Sequence, residues 1–243
     1  MSLFNRETPA LSLTDIVDAA VMNKSTAFRV ISTLETAGYL ERDPGTKQYR
    51  PGLKVLQLGF TAISSLEFRQ IARPYLSRLS RETGETASMG VLDDLEVVYV
   101  DRVRTQRTIV GVVLGLGSRI PAHCASMGKV LLAGLTKEEL HQRLHAVDLI
   151  PCTPNTIVDL DQVEDELDKV RNQGYATNQE ELEIGLRAIA APIWNYNGQV
   201  VAAINVSGSV RTISDERLNI ELVSQVTDTA DQISQSLGYG GAE

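Results

Sequence analysis

The sequence of 243 residues contains few cysteines, few histidines and no long apolar run. No apolar stretch approaches the roughly 20 residues that cross a bilayer as a helix, which argues against insertion into a membrane. Cys124 and Cys152 are too few for a disulfide scaffold or a four-cysteine metal site, and this scarcity fits a reducing cytoplasm. The first residues lack the pattern of a targeting signal, so we expect a cytoplasmic protein.

Signatures of catalysis and of cofactor binding are also scarce. His123, Cys124 and Ser126 lie together, but adjacent residues rarely point at one another, so a nucleophile pair is not expected. His141 and His145 fall on an exposed helix face without a further histidine at ligand spacing. We find no phosphate-binding loop or dinucleotide fingerprint. The sequence therefore predicts no catalytic residues, no cofactor and no metal site, although an enzyme for a small molecule remains the alternative interpretation.

Charge is distributed unevenly along an acidic chain. The net charge is −8, yet the first 54 residues hold seven Lys and Arg against six Asp and Glu. Residues 21–54 contain six basic and three acidic residues, which makes a local charge of +3. Because the chain is longer than one core usually requires, we expect a small domain beside a larger one. The basic island suits nucleic acid, although the charge taken alone favours an ordinary solvated helix face.

Two short amphipathic segments flank a tight turn in this basic island. The first, SLTDIVDAA, has Ser12 or Thr14 placed to cap a helix. The second, NKSTAFRVISTLETAGYL, has apolar residues at the spacing of one buried helix face: Ala27, Val30, Ile31, Leu34 and Ala37. Gly38 suits the helix end, and a strand, an Asp43-Pro44-Gly45 turn and a second strand follow. This order predicts a winged helix-turn-helix whose second helix enters the major groove of DNA.

We expect the polar face of the second helix and the wing to contact DNA. Arg29, the expected base reader, and Lys24 can reach guanine edges or phosphates, while hydroxyl groups can donate to either. Cations on the wing add affinity without sequence information. The predicted residues are Asn23, Lys24, Ser25, Thr26, Phe28, Arg29, Ser32 and Thr33 on the helix, and Arg42, Lys47 and Arg50 on the wing. For Phe28, packing against a neighbouring chain is the alternative.

The remaining sequence predicts a linker helix and a mixed α/β body. Residues 53–66 form an apolar helix that packs either against the same helix of a second copy or against its own chain. In the body we predict strands at 86–93, 96–103, 108–114, 186–194 and 199–208, and helices at 126–135, 136–147, 159–174 and 214–238. The Asn197-Gly198 dipeptide predicts a two-residue hairpin. The predicted domains are 1–52, the linker helix 53–66, and 67–240.

Three segments together resemble the IclR family of bacterial transcriptional regulators: 11–59, IPAHCASMGKVLLAGL at 120–135, and 174–209, which begins GYATNQEELEIG. The resemblance implies an α+β protein with an N-terminal winged helix-turn-helix, a linker helix and a C-terminal GAF-like effector-binding domain with an antiparallel sheet. It also implies a repressor, more than an activator, that binds operator DNA as a homodimer or tetramer. The family has a full helix before LSLTDI, so the first helix is expected to be shortened here.

The resemblance also implies an effector site. Position by position, the family's ligand contacts fall on Ser126, Met127, Asn178, Ala188, Asn205 and Ser207, with apolar walls at Ile109, Val112, Ile120 and Leu186. The glyoxylate-responsive pattern has an acid, a thiol and a serine where this chain has Asn178, Ala188 and Asn205. We therefore expect a short hydroxy, oxo or dicarboxylic acid, or a small aromatic acid. The two asparagines could instead satisfy local backbone groups.

Overall fold

The computed structural model describes residues 3–5, 8–105 and 114–241 of the chain. These residues divide into two compact units, Met1–Leu66 and Glu67–Glu243. None of the helices in these ranges is long and apolar enough to cross a membrane. The domain bounds given above stay a prediction, and the linker helix falls within the first unit.

The described part of the first unit is a winged helix-turn-helix followed by a helix. Its elements are α1 (Leu13–Ala20), α2 (Lys24–Thr36), β1 (Leu40–Arg42), β2 (Tyr49–Pro51) and α3 (Leu53–Ser64). Ser12 caps α1, since its hydroxyl accepts from the Asp15 N–H and the Asp15 carboxylate accepts in return from the Ser12 N–H. Gly38 has φ +79°, and Tyr39 N–H donates to Leu34 O, which closes the end of α2. The predicted caps, turn and wing are thus confirmed.

One residue of the predicted apolar face is misplaced. Val30 is 47% exposed, whereas Ala27 and Ile31 are buried. The small core of this unit is built from Ile16, Ile31, Leu40 and Tyr49, with further apolar side chains packed around them. Because so small a core covers only a narrow stripe of α2, the side chain of Val30 lies outside the buried stripe.

The second unit is an antiparallel sheet with helices on both faces. Its elements are α4 (Glu67–Thr83), β3 (Thr86–Asp93), β4 (Glu96–Val103), β5 (Arg119–Pro121), α5 (Ser126–Ala133), α6 (Lys137–Leu144), α7 (Leu160–Gln173), β6 (Ala176–Gln179), β7 (Leu186–Trp194), β8 (Val200–Ser209) and α8 (Leu222–Ser236). The strand order is β5-β4-β3-β8-β7-β6. The helices α5 and α7 pack together on one face, and α4 and α8 on the other. The family's likeness to GAF domains stays a prediction.

Three predicted strands coincide with β3, β4 and β7, and one predicted turn is wrong. β7 and β8 are joined by the five residues Asn195–Gln199 instead of a two-residue turn. A two-residue turn of the Asn-Gly type requires positive φ at both residues, and here Gly198 has it but Asn197 does not. The predicted strand at 108–114 falls, except for its last residue, outside the described residues.

Candidate DNA-binding surface and ligand cavity

The outer face of α2 carries cations without an acidic partner. Within the described residues no carboxylate or carbonyl binds the side chains of Lys24 or Arg29, and both are exposed. Other polar groups serve the helix itself: Asn23 Oδ1 accepts from Thr26 N–H and from Ser25 Oγ, and Thr33 Oγ1 donates to Arg29 O. The other predicted residues of this face are Thr26, Phe28 and Ser32, of which Phe28 is 52% exposed.

The three basic residues of the wing differ in their partners. Arg50 Nη2 lies 3.0 Å from Glu41 Oε2 across the hairpin. Arg42 lies over the ring of Tyr49, 5.5 Å from its centroid, and Lys47 Nζ donates to Pro44 O at 2.6 Å. Arg42 and Lys47 have no carboxylate partner in the described chain, whereas the charge of Arg50 is largely compensated. The wing therefore presents two exposed cations without a carboxylate partner, Arg42 and Lys47.

A cavity of about 500 Å³ opens on the α5 face of the sheet. The predicted effector residues that line it are Ile120, Ser126, Asn178, Leu186, Ala188, Asn205 and Ser207. Asn178 pairs with Ala188 across β6 and β7, and Ala188 pairs with Ser207 across β7 and β8, which places these side chains in one row. The predicted residues Ile109 and Val112 lie outside the described residues.

Met127 does not line this cavity, although it was predicted as a contact. Its side chain is buried in the core, where a Cβ added at Gly90 would lie 3.4 Å from the Met127 sulfur and methyl. Gly128, the next residue, fits tightly against the preceding turn: a Cβ at 128 would lie 2.0 Å from Ala122 O. At the start of α5, Ala125 and Ser126 line the cavity.

Four buried side-chain oxygens at this cavity lack a hydrogen-bond partner. Ser126 Oγ, Asn178 Oδ1, Asn205 Oδ1 and Glu183 Oε2 form no hydrogen bond with any described residue. Asn178 Nδ2 does donate to Cys124 O, so this asparagine satisfies a backbone group with one end only. Leaving a buried polar atom unpaired costs about 1–3 kcal/mol, which a hydrogen-bonding ligand would recover.

Arg102, which we did not predict, adds a cation to the cavity wall. It is half-buried and lies over the ring of Tyr99, 5.7 Å from its centroid, and its Nε has no partner among the described residues. Burial lowers the pKa of Arg102 and raises the pKa of Tyr99 to about 12, so the phenol stays neutral. Two glutamates line the cavity, Glu85 and Glu183, and Glu85 is held by Arg217 at 3.0 Å. Neither carboxylate pairs with the side chain of Arg102 among the described residues, so Arg102 is available to an anion.

The positions of two other groups bear on catalysis and metal binding. His123 Nε2 lies 3.3 Å from Cys124 Sγ, so the expectation that these neighbours do not meet is wrong. Burial nevertheless raises the pKa of Cys124 to about 12, which disfavours the thiolate that nucleophilic catalysis needs. His141, His145 and Glu164 come together at the surface, but exposed groups of this kind are common without a metal. The absence of a metal site stays a prediction.

A winged helix with unpaired cations, joined in one chain to a domain with a polar cavity, defines a regulator that binds DNA and a small ligand. Residues 1–44 match the IclR helix-turn-helix domain, and residues 60–235 match the bacterial transcriptional regulator IclR C-terminal domain. The chain belongs to the IclR family of bacterial transcriptional regulators.

Relatives support the same assignment over nearly the whole length. The chain is 33% identical over 239 residues to the HTH-type transcriptional regulator XynR of Escherichia coli, which covers 98% of this chain and 94% of that protein. It is 33% identical over 238 residues to the transcriptional repressor AllR of Salmonella typhi, covering 98% and 87%. An IclR homologue complexed with 4-hydroxybenzoate, from Microbacterium hydrocarbonoxydans, aligns with TM-score 0.81 and 26% identity over 97% of this chain and 95% of that one. The enzyme alternative is not supported, because the relatives are regulators.

Proposed function

We propose that this regulator represses transcription and is controlled by a small carboxylic acid that binds in the sheet cavity. The observation that carries the proposal is the set of unpaired polar atoms on Ser126, Asn178 and Asn205, which share one cavity with the cation of Arg102. A cavity of about 500 Å³ is of the size that small-molecule sites have. As a regulator of chromosomal genes, the protein would act in the cytoplasm.

The proposed ligand lies between the first turn of α5 and Arg102. Ala125 precedes α5 without a side-chain cap, so the first N–H groups of the helix are free to bind a carboxylate together with Ser126 Oγ. The amide oxygens of Asn178 and Asn205 can accept from a hydroxyl group of the ligand. Ile120, Leu186 and Ala188 supply apolar walls, which suits a hydroxylated aromatic or short aliphatic acid.

A screen of small acids tests this assignment directly. At a concentration of 100 times its Kd, an effector should raise the melting temperature by about 5–10 °C. The same acid should alter affinity for the promoter upstream of the gene, because a coupling of about 1–3 kcal/mol changes occupancy 5- to 150-fold. The first probes are 4-hydroxybenzoate, benzoate, and short hydroxy and oxo acids. An acid that stabilises the protein without altering DNA affinity would contradict the regulatory role of the cavity.

We also propose that Arg29 reads a base of the operator. Arg29→Ala should weaken operator binding by about 1–3 kcal/mol and relax discrimination at one base pair, because Arg29 is exposed on α2 without an acidic partner. Arg42→Ala and Lys47→Ala should weaken operator and unrelated DNA alike. Fluorescence anisotropy at one salt concentration measures both.

The matched control for the wing removes the ion pair of Arg50 and Glu41 as a whole. Because Glu41 pairs with Arg50 at 3.0 Å, Arg50→Ala combined with Glu41→Gln leaves the net charge of the wing unchanged, so this double substitution should cost less DNA affinity than Arg42→Ala. Operator affinity that is unchanged in Arg29→Ala would refute its assignment as the base reader.

A homodimer, or a tetramer built from dimers, is proposed from the surface of α3. The helix has no buried residue, and one groove along it is lined by Leu53, Leu56, Gln57, Phe60, Thr61, Ser64 and Ser65. Leu53 is 80% and Phe60 59% exposed, an apolar face that a second copy could cover. The operator would then be nearly palindromic, with half-sites about 34–36 Å apart or a multiple of this.

Sedimentation of charged variants tests the α3 contact. Phe60→Glu should dissociate the dimer at micromolar concentration, because the new carboxylate would be buried in the groove. Leu58→Glu is the control, since Leu58 is 54% exposed but does not line the groove. A wild-type protein that sediments as a monomer would exclude the proposal.

A further inference from the structure

The two cysteines of the chain lie in contact. Their Sγ atoms are 2.6 Å apart, although the residues are 28 positions apart in sequence. Cys124 is fully buried in the turn before α5, whereas Cys152 is exposed in the segment between α6 and α7. A bond between them requires a further approach of only about half an ångström, since a disulfide measures about 2.05 Å.

We infer that Cys124 and Cys152 are an oxidation site, at which a hydroperoxide forms an intramolecular disulfide that ties together two walls of the ligand cavity. Disulfides in a reducing compartment are typically transient and redox-sensing, and the exposure of Cys152 provides the access that such a reaction needs.

The reaction proceeds in two balanced steps. The exposed Cys152 sulfur attacks the outer oxygen of the hydroperoxide: an S–O bond forms, the O–O bond breaks, and the alcohol leaves with the thiol proton. The protonated thiol of Cys124 then condenses with the sulfenic acid: the S–S bond forms, the S–O bond breaks, and the Cys124 proton passes directly to the leaving hydroxyl, which departs as water, so no free thiolate is needed. The two thiols lose two electrons and the peroxide gains them. Cys124 acts second because it is sealed from solvent.

His123 fixes the positions of Cys124 and Cys152 relative to each other. Its Nε2 donates to Ile150 O at 3.1 Å, two residues before Cys152, and lies 3.3 Å from Cys124 Sγ. Burial lowers the pKa of His123, which favours the neutral imidazole that serves this hydrogen bond. The segment that carries Cys152 is therefore fixed over Cys124 before any bond forms.

Hydrogen bonds lead from both cysteines to the cavity. On one side, Cys124 O accepts from Asn178 Nδ2, and Ser126 follows two residues later. On the other side, Thr153 Oγ1 donates to Glu180 O at 2.7 Å, and Thr156 Oγ1 to Glu181 O at 2.7 Å. The chain after Glu181 lines the cavity from 182 to 186. Any effect of the disulfide on an effector rests on the proposed function, whereas the disulfide itself does not.

Peroxide treatment of the reduced full-length protein tests the oxidation. With equimolar hydrogen peroxide, intact mass should show the loss of two hydrogen atoms, peptide mapping should join Cys124 to Cys152, and dithiothreitol should reverse both. In Cys124→Ala, dimedone should trap Cys152 as a sulfenic acid. In Cys152→Ser, Cys124 should stay reduced. Two alkylatable thiols after peroxide treatment, or a disulfide between two chains, would overturn the inference.

Hydrogen exchange of the mapped disulfide form tests the link to the cavity without a ligand. Amides of 126–129 and 180–186 should exchange more slowly than in the reduced protein, while those of α1 and α2 should not change. The melting temperature should rise by about 5–10 °C. Thr153→Val removes the hydrogen bond to Glu180 O, so it should still form the disulfide but lose part of the protection at 180–186. Equal exchange in both forms of the wild-type protein would refute the link.

Discussion

Replacing Arg102 by methionine should weaken binding of the best carboxylate effector about 10- to 150-fold, because a hydrogen bond to a charged group contributes about 1.5–3 kcal/mol. Methionine keeps an apolar stem over the Tyr99 ring but removes the half-buried cation, whose Nε has no partner among the described residues. Titration calorimetry with the strongest acid from the screen measures the change. An uncharged amide analogue of the same acid should lose much less affinity in the variant.

Arg211→Met is the matched control. Arg211 also lines the cavity but is exposed, so solvent screens its interaction with a bound anion. Equal losses of affinity in the two variants would mean that only the general positive potential of the cavity matters. No loss in Arg102→Met would remove this residue from the site.

Lys129→Met should lower the free energy of unfolding of the second unit by about 3–5 kcal/mol, because it removes one partner of a buried ion pair. Lys129 is 3% exposed, and its Nζ lies 2.7 Å from Glu181 Oε1 and 3.3 Å from Thr177 O. Burial already raises the pKa of Glu181, and without the lysine its carboxylate would be held in the core with little compensation. Urea unfolding followed by the fluorescence of Trp194, the single tryptophan, reports on this unit.

The pH dependence separates this mechanism from a simple loss of packing. The pKa of Glu181 in the folded protein lies above its ordinary value of 4.5. Such a carboxyl group destabilises the fold fully when the pH is above the folded pKa, and it no longer does so when the pH is below 4.5. The deficit of Lys129→Met should therefore grow as pH rises through this window. The double variant Lys129→Met with Glu181→Gln should recover much of the stability, since the carboxylate of Glu181 is removed together with the lysine.

Lys137→Met is the control for loss of a lysine. Its ion pair with Asp168 spans 3.4 Å, and the lysine side chain is 75% exposed, so we expect a change of less than about 1 kcal/mol. A deficit in Lys129→Met that is equally small would show that the buried pair contributes little.

Side-chain periodicity predicted the long strands and failed where the sheet is irregular. β3, β4 and β7 alternate or are rich in branched residues, so their bounds could be predicted. β5 and β6 have three and four residues, too few for a period, and were missed.

Arg102 could not be found from the sequence for a similar reason. Strict alternation would place Tyr99 and Arg102 on opposite faces of β4. A bulge opposite Met89 and Gly90 adds a residue to β4, so both side chains face the cavity and Asp101 faces Arg69 and Arg73. The cavity residues that were predicted came from the resemblance to a family, because neither the spacing of side chains nor their charge distinguishes asparagines that line a cavity from asparagines in turns.

The close fit of Gly128 against Ala122 determines where this cavity can be re-engineered for use as a biosensor. A methyl group at 128 would collide with the backbone of Ala122, so every substitution there would displace the start of α5 instead of reshaping the cavity. Ala188, at the centre of the row with Asn178 and Ser207, carries its methyl group directly into the cavity wall. Ala188→Gly would enlarge the space for a ligand and Ala188→Val would reduce it, while the backbone stays in place. Variant libraries that change residue 188 and keep glycine at 128 should therefore yield altered ligand specificity without unfolding the domain.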